Sequence, residues 1–344
     1  MSQSPIPIST VRSFMPYIDF MVENGAPVDR WLERFRLPTH AYEDPDTYIP
    51  TRNYWDFVSF SSRKEGVEDL GLRLGNDRAY EAVGARVICA TYSEPTLLSG
   101  LKRFAELVRG EYSGMRVGLS AADDDTVRLV LGKSFEPNAA GFCQTEWMGV
   151  MVLIKLVQLF EDKTWQPQEI ALRSSGELLP LACGLYPDVR FRMGLSQSSI
   201  SFPRELLSSP PCEAMAPAIA GLESTSGGRT SLDAPEDFPD SLQRILITYL
   251  RDGYPSVDLA AEICQTSTRT LQRRLGDCGL SFSCLVDRAR FDLAARLLTE
   301  TDASSLEIAF ETGYEDPSNF ARAFRRLSGC SPRAYRCRHT DAKA

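Results

Sequence analysis

One pattern of capping residues and apolar spacing occurs twice in the C-terminal third of the chain. It begins with a short helix and a turn of about three residues, after which Ser267 caps a second helix. The same order returns as a short helix from Ser304 or Ser305, a turn at 312–314 and a helix capped by Asp316. In each second helix, apolar residues one turn apart leave the opposite face polar. These two helix pairs predict two helix-turn-helix units.

Two further helices complete the predicted C-terminal domain. Residues 282–298 carry apolar side chains along one side, which predicts a long helix that packs against its neighbours on both sides. An amphipathic run at 241–250 precedes the first helix pair. We therefore predict an all-helical domain over residues 239–338. The preceding segment, 209–238, is rich in Pro, Gly, Ser and Ala and is predicted to be a linker.

The distribution of charge separates this domain from the rest of the chain. The formal net charge is −8, but from Glu236 onward 15 Lys and Arg residues balance 16 Asp and Glu residues. Residues 263–276 hold three Arg and no acid, and residues 317–340 hold six Arg and no acid. Each of these segments covers one predicted second helix, so each favours a basic surface for an anionic partner. Two solvated helix faces are the alternative interpretation.

Three segments here resemble the AraC/XylS family of transcription regulators. They are STRTLQRRL (267–275), FDLAARLL (291–298) and IAFETGYEDPSNFARAFRRLSGCSPRAYR (308–336). The resemblance implies two helix-turn-helix units joined by a long helix, with both second helices entering successive major-groove turns on one face of double-stranded promoter DNA. The sequence departs from the family at Gln265, where Gly is common. If the turn is left-handed, a residue other than Gly at this position costs about 1 kcal/mol, and a looser first unit is expected.

The resemblance also implies which side chains face the DNA. Arg suits guanine or phosphate, and Gln and Asn suit adenine. Arg326 and Arg333 are expected at phosphates, which position a protein without specifying a sequence. For any one of these side chains, simple exposure to solvent is the alternative. The expected base-facing group is Arg269, Gln272 and Arg273 in the first unit, with Thr268 on the same surface, and Ser318, Asn319 and Arg322 in the second.

The first 208 residues alternate between helical and strand patterns. A strand pair is expected around the acidic turn that contains Asp123, Asp124 and Asp125, and this reading of the three carboxylates is favoured over a metal site. The predicted fold class is therefore a mixed α/β N-terminal domain (1–208) followed by the all-helical C-terminal domain. The segments that carry these patterns are helices at 96–108 and 147–160 and strands at 116–120, 126–131 and 168–173.

This N-terminal region resembles the arabinose-binding-type sensor domain of AraC-class regulators, including ornithine-utilisation regulators. The segments that carry the resemblance are DLGLRLG (69–75), SEPTLLSGLKRFAELV (93–108) and VRFRMGLSQSSISFPRELL (189–207). The resemblance implies a small-molecule effector, and the name of the domain does not identify that effector. Trp147, Met151 and Trp165 are candidates for lining its pocket, although at helical spacing such side chains more often belong to a core.

Several kinds of chemistry are not expected. The nine cysteines include no C-x-x-C pair and the two histidines are His40 and His339, so neither a metal site nor a histidine-based catalytic triad is predicted. No cofactor is predicted.

The apolar segment 147–160 is shorter than the roughly 20 residues of a membrane span. With no signal peptide recognised, we expect a cytoplasmic protein with no membrane partner.

The resulting hypothesis is a bacterial effector-responsive regulator of transcription. We expect it to activate rather than repress, which implies RNA polymerase as a further partner, and effector binding could act through the contact between the domains or through homodimerisation. One alternative is an enzyme-like, ligand-processing domain tethered to a DNA-binding module. Another is an architectural protein that bends DNA without an effector.

Overall fold

The chain folds into two compact units. The computed structural model describes residues 4–40, 43–133, 139–176, 178–223, 235 and 237–340. Within them, the N-terminal unit is mixed α/β and the C-terminal unit is built of helices, as the sequence predicts. The N-terminal unit comprises Ser9–Asp46 and Thr51–Ala234, and the C-terminal unit comprises Met1–Ile8, Thr47–Pro50 and Pro235–Ala344.

The elements follow in chain order. The strands are β1 (Ile8–Thr10), β2 (Tyr48–Pro50), β3 (Met115–Ala121), β4 (Thr126–Lys133), β5 (Glu169–Ala171), β6 (Arg190–Arg192) and β7 (Ser198–Pro203). The first helices are α1 (Met15–Glu23), α2 (Val28–Arg34), α3 (Thr51–Glu65), α4 (Leu70–Val83), α5 (Ala85–Tyr92), α6 (Leu97–Glu111), α7 (Phe142–Gln158), α8 (Leu179–Leu185) and α9 (Ala216–Glu223). The remaining helices are α10 (Phe238–Tyr249), α11 (Val257–Ile263), α12 (Thr268–Asp277), α13 (Phe282–Glu300), α14 (Ser305–Glu311), α15 (Pro317–Ser328) and α16 (Pro332–Thr340).

A five-stranded sheet forms one layer of the N-terminal unit. Its order is β3-β4-β7-β5-β6, and every neighbouring pair is antiparallel except β5 with β6. The predicted hairpin is confirmed, with Val117 opposite Leu131. Its acidic tip is a turn, because Asp123 Oδ1 accepts from the backbone N–H groups of Asp125 (3.0 Å) and Thr126 (2.8 Å). The prediction of a hairpin tip for these acids is therefore confirmed.

The central helix α7 supplies much of the core of this unit. It is buried along nearly its whole length, as its apolar sequence predicts, and it packs against α4 and β7. The approach of α4 to α7 requires Gly71, since a Cβ on that residue would lie 1.9 Å from the carbonyl oxygen of Gln144. No helix within the described ranges is long and apolar enough to cross a membrane.

The chain between 209 and 223 packs as part of the N-terminal unit, whereas its composition predicts a linker. Leu97 N–H donates to Ser209 O (2.9 Å), and Cys212 N–H donates to Leu159 O (2.9 Å). Ile219 of α9 is buried in the core of that unit. The segment is rich in Pro and Ala, but its few apolar side chains and backbone hydrogen bonds are enough to hold it against the N-terminal unit. Residues 224–234 and 236 of the predicted linker lie outside the described residues.

Two apolar cores lie along α13 in the C-terminal unit. The first contains side chains from α10, α11, α12 and the N-terminal half of α13. The second contains side chains from α14, α15 and the C-terminal half of α13. The predicted long joining helix is therefore confirmed, and it belongs to both cores.

Two short segments from early in the chain also belong to the C-terminal unit. Ile6 N–H donates to Ser241 Oγ (2.9 Å), and Thr248 Oγ1 donates to the carbonyl oxygen of Tyr48 (2.8 Å). Ile8 and Tyr48 are buried in a small cluster with apolar residues of α10 and α11. Local patterns cannot reveal these contacts, since the paired residues lie about 200 positions apart in the chain.

Arg290 connects the two halves of the C-terminal unit. This α13 residue is only 8% exposed, and its guanidinium donates to the carbonyl oxygen of Gly313 (2.5 Å). The guanidinium also lies over the rings of Tyr254 (4.8 Å) and Tyr314 (4.1 Å). Gly313 itself is tightly placed, because a Cβ there would lie 2.6 Å from the carbonyl oxygen of Leu250 at the end of α10. The turn after α14 is thus held against the backbone that precedes α11.

Replacing Gly313 tests this contact. Gly313→Ala should destabilise the C-terminal unit by about 1–2 kcal/mol for its positive φ and by about 1–3 kcal/mol more for the overlap with Leu250 O. Gly279→Ala is the matched control, because its φ of +71° is close to the +73° of Gly313 and its Cβ would meet nothing within 4 Å. Hydrogen exchange of the amides in α13–α15 measures both effects. If the two variants reduce the protection of these amides equally, the close packing at Gly313 contributes nothing to the stability of the C-terminal unit.

Candidate DNA interface and ligand cavity

The helix α12 presents a polar, basic face. Ser267 caps it by accepting from Thr270 N–H (3.2 Å), and Leu271 and Leu275 are buried on its inner side. Thr268 is half-buried at the start of the helix. The predicted base-facing side chains of α12 are all exposed: Arg269, Gln272 and Arg273.

The helix α15 repeats this arrangement. Asp316 caps it by accepting from Ser318 N–H (2.8 Å), and Phe320 and Phe324 are buried on its inner side. The guanidinium of Arg322 donates to Asn319 Oδ1 one turn earlier, so these two candidate side chains are already oriented together. The structure exposes all three predicted base-facing residues of this helix: Ser318, Asn319 and Arg322.

The turns inside the two helix pairs α11–α12 and α14–α15 have the same hydrogen bonds. After α11, Thr266 N–H donates to Ala261 O (2.9 Å) and Gln265 N–H donates to Glu262 O (3.0 Å). After α14, Tyr314 and Gly313 make the equivalent pair of bonds, which is the Schellman pattern of a helix C-terminus. This pattern needs a left-handed residue, and Gln265 adopts a φ of +49°. The left-handed turn suspected from the sequence is therefore present at Gln265.

The remaining arginines differ in their surroundings. Arg326 is exposed and pairs with Asp287 of α13 at 2.8 Å, and Arg333 is exposed in the first turn of α16. Sequence reasoning omitted Arg325, which is exposed beside Arg326 in the same acid-free segment. Arg274 is turned inward, with its guanidinium 3.6 Å from the ring centroid of Phe238 and donating to Ser4 O (2.8 Å). The adjacent residues Arg273 and Arg274 therefore have different surroundings.

The three candidate effector contacts lie in or beside the core of the N-terminal unit. Trp147 and Met151 are 1% and 0% exposed on α7. Trp165 is half-buried and packs edge-on against Phe202, with ring centroids 6.0 Å apart. None of the three lines the chamber between α3, α4, α6 and α7 or the cleft beside it. The structure thus favours the alternative that these three side chains belong to the core.

A small apolar chamber of about 50 Å³ lies elsewhere in this unit. It is the size of a few water molecules or about four non-hydrogen atoms. Its walls come from α3, α4, α6 and α7, so four packed helices shape it. The side chains that dominate the lining are Tyr54, Ala82, Phe104, Val108, Met148 and Val152.

A wider cleft of about 560 Å³ adjoins the same elements. Arg12 and Arg86 are its two basic side chains, and Arg12 pairs with Asp46 at 2.7 Å. Glu111, the last residue of α6, lines both the cleft and the chamber. The acidic side chains of the cleft outnumber the basic ones three to one: Asp19, Glu43, Asp44, Asp46, Glu81 and Glu111.

Glu111 is held in an unfavourable place for a carboxylate. Its Oε2 atom is buried and has no hydrogen-bond partner among the described residues. Burial raises the pKa of Glu111 above its ordinary value of 4.5. The polar side chain of Thr10 and the positive charges of Arg12 and Arg86 have the opposite, smaller effect on this pKa. Burial also raises the pKa values of Asp19 and Glu81 in the cleft. Glu111 also lies at the C-terminal end of α6, where the helix dipole makes the ionised carboxylate less stable.

Comparison with known protein families accounts for both units. A helix-turn-helix domain model matches residues 260–338. The model of the N-terminal arabinose-binding domain of AraC transcription regulators matches residues 25–211, which is more than half of the chain. The chain belongs to the AraC family of DNA-binding transcription regulators. The resemblance noted from the sequence is confirmed for both regions.

Individual members of the AraC family show different extents of similarity. The ornithine utilization regulator of Pseudomonas aeruginosa is 37% identical over 106 residues, which is 31% of this chain and 31% of that regulator. The regulator VirS of Mycobacterium tuberculosis is 22% identical over 331 residues, covering 93% and 94% of the two chains. The crystal structure of the regulator CdpR from Pseudomonas aeruginosa covers 90% of this chain at 20% identity, with a TM-score of 0.38.

Replacing Glu111 with an uncharged residue tests whether its ionised form destabilises the fold. A raised pKa means that this AraC-family chain loses stability as the pH rises from the ordinary value of 4.5 through the folded pKa. Glu111→Gln should therefore melt at a higher temperature than the parent chain at pH 7–8, and the difference should vanish near pH 4. Tryptophan fluorescence reports the N-terminal unit alone, because the four tryptophans, 31, 55, 147 and 165, all lie in it.

The control for this measurement is Glu106→Gln on the same helix. Glu106 is exposed and pairs with Arg103 at 3.3 Å, so its replacement should change the melting temperature little at any pH. A lower melting temperature for Glu111→Gln than for the parent at neutral pH would contradict the assignment.

Proposed function

We propose that this AraC-family chain is an effector-responsive transcription activator that reads promoter DNA through both helix pairs. The observation that carries the proposal is the equivalence of α12 and α15. Each is capped by a polar side chain, follows the same hydrogen-bonded turn and exposes arginine beside an amide side chain. In this proposal each helix pair is a helix-turn-helix unit, and the two second helices enter successive turns of the major groove.

The exposed side chains suit direct reading of bases. Arg269 and Arg273 on α12, and Arg322 on α15, can each donate two hydrogen bonds to O6 and N7 of guanine. Gln272 and Asn319 have the donor and acceptor that adenine requires. Thr268 and Ser318 sit at the starts of their helices, where hydroxyl groups can contact either a base or a nearby phosphate.

A second set of arginines suits the phosphate backbone. Arg326 is exposed on α15 one turn after Arg322, Arg333 is exposed in the first turn of α16, and Arg325 joins them as a further candidate. Such contacts increase affinity for any DNA sequence and make it depend on salt. The ion pair between Arg326 and Asp287 must open for Arg326 to reach a phosphate.

Regulation would follow from a small molecule bound in the N-terminal unit. Binding shifts a population toward the state in which the ligand makes more favourable contacts, so the effector would change how the helix pairs meet DNA. Family resemblance supports activation, with RNA polymerase as the partner that is recruited, and homodimerisation as one route by which the effector could act.

Two substitutions test whether the helices read different bases. Arg273→Ala and Arg322→Ala should each weaken binding to the preferred site by about 1–3 kcal/mol and relax the preference at different base positions. Those positions should lie about 10 base pairs apart. A binding selection of the full chain on randomised DNA measures both effects. If the two variants relax the same positions, or neither changes the preference, two independent reading helices are excluded.

The salt dependence of binding tests the phosphate assignment. Arg326→Ala should weaken binding equally for preferred and scrambled DNA and reduce the slope of log K against log salt by about 1. Asp287→Asn is the complementary variant, because it releases Arg326 from its ion pair and should strengthen binding to both DNAs. A loss confined to the preferred sequence would instead place Arg326 among the base-reading residues.

A further inference from the structure

The helices α12 and α15 differ in how their inner sides are packed. The inner side of α12 is anchored by two buried leucines, Leu271 and Leu275. The inner side of α15 carries phenylalanines at the equivalent positions, and Phe324 is in ring contact with Phe291 (5.2 Å) and Tyr335 (5.3 Å). Aromatic side chains bury more apolar area and add specific ring contacts, so α15 is held more firmly. Any additional contact that holds α12 therefore matters more for its orientation.

Arg274 supplies such a contact for α12. Its guanidinium lies 3.6 Å from the ring centroid of Phe238, which is fully buried at the start of α10, and it donates to Ser4 O (2.8 Å). A cation over an aromatic face and a charge-assisted hydrogen bond are both stronger than contacts between neutral surface groups. The spacing of the inward-facing residues makes Ala323 the equivalent position in α15, so of the two helices only α12 carries this arginine.

The hydrogen bond of this arginine is to a segment from the start of the chain. Residues 4–8, which we call the N-terminal strap, lie in the C-terminal unit. Within the strap, Ile6 N–H donates to Oγ of Ser241 (2.9 Å), which is 0% exposed on α10. The side chain of Ile6 packs against the same apolar core as the two leucines of α12. The strap is thus fixed to α10, and through Arg274 it is also bound to α12.

Arg274 is adjacent in sequence to a residue of the proposed DNA-reading face. Successive residues of an α-helix lie about 100° apart around its axis. Arg273 is exposed, whereas Arg274 is half-buried against α10 and the strap. Turning α12 about its axis far enough to move Arg273 away from a base edge would pull the Arg274 guanidinium away from its partners. The contacts of Arg274 therefore set the direction in which Arg273 points.

We infer that Arg274 is a positioning residue for base reading by α12, and that the N-terminal strap is the support through which it acts. Arg274 acts through the orientation of Arg273 and does not itself contact DNA. The inference rests on the proposed function, because it explains how one of the two proposed reading helices keeps its orientation. The base pairs read by α12, the first half-site, then depend on the start of the chain. Those read by α15, the second half-site, do not.

Three variants release the strap in different ways. Arg274→Ala removes the guanidinium, Ser241→Ala removes the acceptor of Ile6 N–H, and a chain without residues 2–7 lacks most of the strap. In each variant a smaller fraction of molecules has α12 correctly oriented, so the preference for the first half-site should weaken. We expect a loss of about tenfold for Arg274→Ala and for the shortened chain, and about fivefold for Ser241→Ala.

A binding selection on randomised DNA measures the preference at each half-site separately. In all three variants the preference at the second half-site should stay within about twofold of the parent chain. An unchanged first half-site in Arg274→Ala or in the shortened chain would overturn the inference.

The salt dependence of binding distinguishes positioning from direct contact with DNA. A side chain bound to a phosphate contributes about 1 to the slope of log K against log salt. Arg274→Ala should leave that slope unchanged. Ser241 is fully buried and cannot reach DNA, yet its replacement should relax the same base positions. A slope reduced by about 1 in Arg274→Ala, with a normal first half-site in Ser241→Ala, would assign Arg274 to the phosphate backbone and overturn the inference.

Arg336→Ala is the matched control in the second helix pair. The guanidinium of Arg336 donates to the carbonyl oxygens of Leu298 (3.0 Å) and Ala303 (2.6 Å), so it too joins a helix to neighbouring backbone. Its replacement should leave the preference at the first half-site as it is in the parent chain. If it relaxes the first half-site as much as Arg274→Ala does, a general loss of stability in the C-terminal unit explains both effects and the inference fails.

Hydrogen exchange separates this inference from the proposed function. Arg274→Ala should speed exchange of the α12 amides and leave those of α15 unchanged, whether or not α12 reads bases. If Arg273→Ala relaxes the first half-site but Arg274→Ala changes neither that half-site nor the exchange, only the positioning role is overturned. Faster α12 exchange together with an unchanged base preference in Arg273→Ala overturns base reading by α12, and with it the proposed function, while the support of α12 by the strap stands.

Discussion

The buried guanidinium of Arg290 determines how the two helix pairs are arranged. A buried cation is tolerated only where acceptors and aromatic faces replace water, and Arg290 obtains these from Gly313, Tyr254 and Tyr314. Tyr254 precedes the first helix pair, and the other two residues lie in the turn of the second. Displacing either pair would leave the charge unsatisfied. The arrangement of the two exposed arginine faces therefore depends on a side chain that is itself nearly inaccessible.

The N-terminal unit buries a group of the opposite charge at Glu111. The Oε2 atom of this carboxylate is buried without a hydrogen bond from the described residues, at the helix end where the dipole disfavours a negative charge, although Arg12 and Arg86 act on the group favourably. Its raised pKa is the measurable consequence of that placement.

Much of the fold could be predicted because it follows from short-range chemistry. Ser267 and Asp316 cap α12 and α15 where the sequence indicates, since a cap needs only the backbone two or three residues away. The acidic β-hairpin tip was predictable for the same reason. The exposed faces of α12 and α15 follow from helical periodicity alone. Predictions based on composition performed less well, since the segment 209–223 has the composition of a linker but docks on the N-terminal unit.

The sequence by itself determined the family, the two classes of domain and the side chains exposed on the second helices of the C-terminal unit. It located most helices of that unit, although α10 begins at Phe238 and not at Ser241. The tertiary structure alone decided which buried groups meet. Periodicity marks Trp147 and Met151 as apolar but does not distinguish a core from a cavity wall, and it assigns no role to Arg290 or Glu111. Their roles depend on neighbours that are distant in the chain. Contacts of that range arise from packing, which no local pattern of residues records.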